Sequence, residues 1–284
     1  MFTTLISAAD LVRYGQSNWV ILDCRHDLTD PQAGRAAYTT GHLPHAQFAH
    51  LDIDLSGNKV GANGVFHGRH PLPDRAAFLH ILRSWGINNG TQVVAYDAHG
   101  GMFAARLWWL LRWVGHSSVA VLDGGMDAWL ELEPTHYQLS TKIPSVVHGE
   151  ISERNSLVSH VRLEDVVANL GTQSKILVDA RSPDRFRGEN ETMDPVGGHI
   201  PGAINRFFKH NLQASGRFKS PDELRSEWSA IITNPKSAIM QCGSGVTACH
   251  NLLAMEVAGM PGAALYSGSW SEWCSVPSRS VAVG

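Results

Sequence analysis

The sequence predicts an α/β protein of two tandem domains, each a mainly parallel sheet flanked by helices. At 284 residues the chain is longer than one hydrophobic core usually needs. Short apolar runs alternate with amphipathic stretches, the pattern of strands joined by crossover helices and buried on both faces. Several short motifs also occur twice in the same order, which marks a duplicated unit.

The first copy opens with Val20 to Arg25, VILDCR, an apolar run ending in Asp-x-Arg, echoed by Ile176 to Arg181, ILVDAR. Gly41 to Ala46, GHLPHA, returns as Gly198 to Ala203, GHIPGA. Val93 to Asp97, VVAYD, reads as a strand and Met102 to Trp113 as a helix. In the second copy AIMQC, ending at Cys242, precedes the helical VTACHNLLAMEVAG, and Gly115 and Gly259 follow the two helices as C-caps. Val121 to Trp129, VLDGGMDAW, returns as Leu265 to Trp273, LYSGSWSEW. The first two pairs of landmarks are almost equally spaced, while the third pair lies about a dozen residues closer together. The first copy therefore carries an insertion between His42 and Trp129. These readings divide the chain into a first domain at 1–135, a linker at 136–158 and a second domain at 159–284.

Composition narrows the function. With 43% hydrophobic and 17% charged residues the chain should fold, and disorder, collagen-like repeats and coiled coils are excluded. A net charge of -3 offers no broad basic face for nucleic acid or an anionic membrane. No apolar run reaches the ~18 residues of a membrane span, and Met1 to Ala9 lacks the features of a secretory signal, so a cytoplasmic location is expected. The four cysteines form no Cys-x-x-Cys pair, which suits a reducing compartment and argues against a zinc cage despite 15 histidines.

The most informative segment is Gln241-Cys242-Gly243-Ser244-Gly245-Val246-Thr247-Ala248. A buried strand ends at Cys242, a loop with two glycines follows, and a helix begins near Val246 or Thr247. Ligands in open α/β sheets bind where strands end and helices start. The glycines let successive N–H groups converge above the sulfur, and the helix N-terminus adds partial positive charge. Such a cradle favours a nucleophilic thiolate and holds an anionic substrate beside it. The alternative is a buried structural cysteine, which fits Cys24, Cys249 and Cys274 better. In the first copy Asp97 takes the place of the nucleophile, so that loop should be catalytically silent.

At these residues the chain resembles the tandem-domain rhodanese sulfurtransferases over nearly its whole length. The paired Asp-x-Arg and Gly-His-x-Pro motifs, the Cys-Gly-Ser-Gly-Val-Thr-Ala loop and the final Gly-Ser-Trp-x-Glu-Trp carry the likeness. Within that group the loop is similar to that of the 3-mercaptopyruvate sulfurtransferases. Thiosulfate-specific members carry basic residues just after the cysteine, where this chain has Gly243-Ser244. The resemblance implies two rhodanese-like domains and a small-molecule sulfur donor. It further implies that Cys242 takes the sulfur as a persulfide, releases pyruvate, and passes the sulfur to a thiol acceptor such as a thioredoxin-like protein, or to cyanide. No metal or other cofactor is implied. The amides of Gly243, Ser244, Gly245, Val246 and Thr247 would cradle the persulfide.

The resemblance also implies a histidine and an aspartate from the first domain, which point to His70 and Asp54, acting with the Ser244 hydroxyl as a proton relay. Otherwise His70 is a loop histidine and Asp54 a turn cap. A substrate carboxylate calls for arginine, and the match selects Arg185, with Arg187 as a reserve or a solvated surface charge. Mercaptopyruvate members carry a second arginine further on, where this chain has Asp194. The duplicated Asp-x-Arg pairs, His42, His199 and the tryptophans are read as structural.

Two other functions compete. A cysteine phosphatase needs an arginine about six positions after its nucleophile, and Ala248 stands there. A relay module, loaded and unloaded only by partner proteins, would keep Cys242 but need no small donor. Thiosulfate in place of 3-mercaptopyruvate is the alternative donor.

Overall fold

The computed structural model describes residues 1–16, 18–132 and 138–284. The boundary expected at 135 and 136 lies outside the described residues. Among the described residues ten strands form two five-stranded sheets, and every strand pair is parallel. The first sheet holds β1 (Leu5–Ile6), β2 (Val20–Asp23), β3 (Gln47–Phe48), β4 (Val93–Tyr96) and β5 (Val119–Leu122) in the order β1-β5-β4-β2-β3. The second holds β6 (Ser159–Val161), β7 (Ile176–Asp179), β8 (Ile204–Asn205), β9 (Ala238–Gln241) and β10 (Ala264–Tyr266) in the order β6-β10-β9-β7-β8. The sequence repeat is thus a repeat of topology. The flanking helices are α1 (Ala8–Tyr14), α2 (Ala33–Thr40), α3 (Arg75–Ser84), α4 (Ala104–Trp113) and α5 (Gly125–Leu130) in the first copy. Those of the second are α6 (Leu163–Thr172), α7 (Pro183–Arg187), α8 (Pro221–Ser229), α9 (Thr247–Val257) and α10 (Ser269–Trp273).

The central strands β4 and β9 are buried at every position, because helices cover both faces of each sheet. Each leads through a loop into the most buried helix of its unit, α4 or α9. Both helices end in the same way. Gly115 and Gly259 adopt left-handed φ values of 88° and 69°. Their N–H groups donate to Arg112 and Glu256, while the next residues, His116 and Met260, reach back to Leu111 and Met255. These paired bonds satisfy the last carbonyls and fix the direction in which the chain leaves.

The duplicated motifs form one repeated brace. Arg25 binds the Asp23 carboxylate and the Gly41 carbonyl, the latter at 2.7 Å; Arg181 binds Asp179 and the Gly198 carbonyl, again at 2.7 Å. His42 stacks on Tyr38 and His199 on Phe186, with each Nδ1 on a backbone carbonyl at 2.8 Å. The brace ties the end of β2 or β7 to the turn before the edge strand. Breaking either buried pair by removing one partner should cost about 3–5 kcal/mol, since the other charge is left stranded.

The chain folds into two compact units that are not single stretches. The first gathers residues 1–56, 73–157 and 213–218; the second gathers 57–72, 158–212 and 219–284. The segment carrying His70 therefore belongs with the second sheet. Among the described residues no helix is long and apolar enough to cross a membrane.

Candidate active site

Cys242 directly follows β9 and is 2% exposed. The loop turns over it because Gly245 takes φ 78°, where a Cβ would come within 2.5 Å of the Ser267 carbonyl oxygen. In that pose the Gly245 N–H points at Cys242 Sγ, 3.1 Å away, and α9 begins two residues later at Thr247. The tight turn into α10 holds the loop from behind. Ser269 accepts the Cys242 N–H at 3.1 Å and donates to the Tyr266 carbonyl at 2.9 Å. It does so at φ 55°, a strained left-handed conformation for a residue with a side chain. Trp270 N–H donates to the Cys242 carbonyl and Ser271 N–H to that of Gly243, at 3.0 and 2.9 Å.

The first copy shows what such a loop is built to hold. Asp97 directly follows β4, and its carboxylate accepts four backbone N–H groups at 2.7–2.9 Å, from His99, Gly101, Phe103 and Ala104. Met126 N–H donates to the Asp97 carbonyl at 2.8 Å, as Trp270 does to Cys242, and Gly125 at φ 57° stands where Ser269 stands. The cradle of the first unit is a carboxylate site, and the turn behind it is repeated in the second. In the first unit its own carboxylate fills the cradle; in the second the residue at its floor is a cysteine.

Ser244 and His70 are both buried, and His70 Nδ1 lies 2.7 Å from Ser244 Oγ. The segment 57–72 reaches this position by seating on the turn before α10. Gly68 packs so closely that a Cβ would come within 2.8 Å of the Gly268 carbonyl oxygen, and Arg69 N–H donates to Ser271 Oγ at 3.1 Å. Asp54 belongs to the first unit, where its carboxylate accepts the His50 N–H at 2.7 Å and burial pushes its carboxyl above the usual range.

Arg185, on α7, forks onto Glu191 through Nε at 3.1 Å and Nη2 at 2.8 Å, and its Nη2 lies 3.5 Å from Asp194. Burial pushes Glu191 upward, but the Arg185 fork and the Met193 and Asp194 amides outweigh it, so the carboxyl lies below its ordinary value. Burial holds Asp194 above its ordinary value against the pull of Arg69, to which it is paired. Arg187 turns away to Glu189 on the surface, 2.7 Å distant, and does not join this group. Sequence reasoning did not single out Arg69, Glu191, Ser269 or Ser271 for this site, and it read Arg181, whose Cδ lies near Gly243, as a brace alone. Ser269 could have been found by aligning it with Gly125, because a serine replacing a glycine in a duplicated turn needs a reason.

In the first unit His26, His50 and Asp52 bring ligand atoms within 4.8 Å of one another. The Asp52 N–H donates to His50 Nδ1 at 3.1 Å, which places the ring proton of a neutral His50 on Nε2 and removes that atom as a metal ligand. Two of the other thiols are held neutral: burial pushes Cys24 far up, and burial, with the charge of Asp194, pushes Cys274 to about 11. Treatment with iodoacetamide near pH 7 should therefore label Cys242 while sparing Cys24 and Cys274, the last reacting only above about pH 10. Peptide mass mapping reads this, and equal labelling of Cys274 at neutral pH would contradict it.

Comparison with known proteins gives a consistent set of relatives. The family description "Rhodanese-like domain" matches residues 7–132 and 162–276. A protein of Pseudomonas aeruginosa named "Probable 3-mercaptopyruvate sulfurtransferase" is 43% identical over 99% of this chain and 98% of its own. The thiosulfate sulfurtransferase of Bos taurus is 36% identical over 89% of this chain and 84% of its own. The crystal structure of the 3-mercaptopyruvate sulfotransferase SseA from Escherichia coli superposes with a TM-score of 0.80 and 28% identity, over 95% of this chain and 100% of its own.

Proposed function

The chain belongs to the rhodanese family, a sulfurtransferase of the 3-mercaptopyruvate or thiosulfate type, and from that membership we propose that it moves sulfur from 3-mercaptopyruvate through a persulfide on Cys242. The observation that carries the reading is the pair of cradles. The loop after the central strand binds its own carboxylate in one copy and presents a thiol with an N–H aimed at its sulfur in the other, so it suits a sulfur that is anionic both before and after reaction.

In the proposed reaction the Cys242 thiolate attacks the donor sulfur. The new S–S bond forms as the donor's C–S bond breaks, and its electron pair leaves as the enolate of pyruvate. The proton of the donor thiol goes to the enolate carbon, so the products are a persulfide anion and pyruvate. Ser244 and His70, hydrogen-bonded to each other, are the groups proposed to carry that proton. Arg185 would hold the donor carboxylate, and the amides from Gly243 to Thr247 the sulfane sulfur. A thiol acceptor, such as a thioredoxin-like protein, or cyanide would then attack the outer sulfur and free Cys242.

S244A should lower kcat about 10–100-fold with KM little changed, and the double variant S244A/H70Q should lose no more than the worse single variant, as for groups acting as a unit. Additive losses would contradict a shared relay. The donor is tested by comparing kcat/KM. The absence of a basic side chain at Gly243-Ser244 and the Pseudomonas relative support a preference for 3-mercaptopyruvate of at least about tenfold. A preference for thiosulfate would transfer the assignment to that donor.

A further inference from the structure

We propose that Arg69 is a second donor-anchoring arginine, acting with Arg185 on the negative charge of the sulfur donor; this rests on the reading of Cys242 as the sulfur-accepting nucleophile. The resemblance looked for a second guanidinium at position 194 and found an acid there. The structure brings one from elsewhere in the chain. Arg69 Nη2 lies 2.7 Å from the point where a Cβ on Gly243 would be, and Arg185 Nη2 lies 3.7 Å from the same point. Two guanidinium groups thus converge beside the residue that follows the nucleophile. Arg69 fills the space that a side chain at 243 would need.

The position of Arg69 is built rather than incidental. Its backbone N–H is fixed by Ser271 Oγ, in the same turn that holds the carbonyls of Cys242 and Gly243. The glycine before it packs against Gly268 as closely as backbone allows. Asp194, 3% exposed, meets Arg69 through Nη1 and Arg185 through Nη2, and so offsets the repulsion between two cations brought to one place. One edge of Arg69 is committed to Asp194. Among the described residues its buried Nε has no hydrogen-bond partner. A buried guanidinium N–H without an acceptor calls for one, and a carboxylate or sulfonate oxygen of a bound donor supplies it.

The test separates anion recognition from sulfur chemistry by alkylating Cys242 with iodoacetate, an anion, and with iodoacetamide, its neutral counterpart of similar shape. The ratio of the two rates reports the charge offered to a ligand at the sulfur and does not depend on turnover. R69Q and R185Q should each lower the ratio at least about fivefold, while raising KM for 3-mercaptopyruvate more than they lower kcat. An unchanged ratio in R69Q beside a lowered one in R185Q would overturn the role of Arg69. If R69Q does not fold, R69K keeps the charge but loses the fork, and a fall of at least about twofold is expected; no fall would again overturn the proposal. Should the wild-type protein turn over neither 3-mercaptopyruvate nor thiosulfate while R69Q still lowers the ratio, the sulfur-transfer reading fails and the anchoring role of Arg69 stands.

Discussion

Replacing Cys242 with serine is expected to lower sulfur transfer by about 10⁴-fold or more, the scale on which loss of a covalent nucleophile acts. Serine keeps the size and can accept the Gly245 N–H that now points at Sγ, so the loop should close as before and the free energy of unfolding should stay within about 0.5 kcal/mol. Oxygen at this position is a poor nucleophile toward sulfur and cannot store a sulfane sulfur. The pairing of complete inactivation with intact stability is what distinguishes a nucleophile from a packed core cysteine. The neighbouring Cys249 provides the contrast. It is fully buried in α9 and its Sγ donates to the Gly245 carbonyl at 3.2 Å, so C249A should cost stability and spare most of the chemistry. Wild-type turnover in C242S would remove the basis of the mechanism.

Asp97→Ala should cost about 4 kcal/mol or more of stability. Four N–H groups lose their acceptor at once, and each buried donor left unpaired costs about 1–3 kcal/mol, reduced where water can enter. The loss spreads through the loop into the start of α4, whose Ala104 amide is one of the four. Asp97→Asn keeps the shape but offers one acceptor in place of two and turns an NH₂ toward two N–H groups, so it should fall between wild type and alanine. Chemical denaturation of the three proteins reads the series. If alanine unfolds at the wild-type midpoint, the carboxylate is not the anion that fills this cradle.

The fold was legible in the sequence because duplication doubles every signal. Asp23-x-Arg25 and Gly41-His42 are weak marks alone, but their return at Asp179-x-Arg181 and Gly198-His199 implies two copies of one unit, and both copies make the same brace. The candidate nucleophile was legible for a local reason. A cysteine between a buried strand and a glycine loop has few other uses, and the contacts that orient it come from residues within three positions or from one repeated turn. The charged part of the site was less legible. Arg185 could be matched by motif, but its partner Glu191 and the arrival of Arg69 depend on how segment 57–72 packs on the turn before α10. That packing rests on the absence of a side chain at Gly68 and on one hydroxyl at Ser271, neither of which has a periodic signature. Arg187 shows the converse: it lies two residues from Arg185 and matched the chemistry as well, yet the short α7 turns it to Glu189 at the surface.

The central claim is that Cys242 itself carries the sulfur, and mass spectrometry after a single turnover tests it most directly. The protein is mixed with 3-mercaptopyruvate in the absence of any acceptor, digested without reductant, and the Cys242 peptide weighed while released pyruvate is counted. That peptide is expected to gain one sulfur atom, with one pyruvate released per chain and the added mass lost when cyanide is supplied. An unmodified Cys242 peptide after exposure to both 3-mercaptopyruvate and thiosulfate, or sulfur found on Cys24, Cys249 or Cys274 instead, would contradict it.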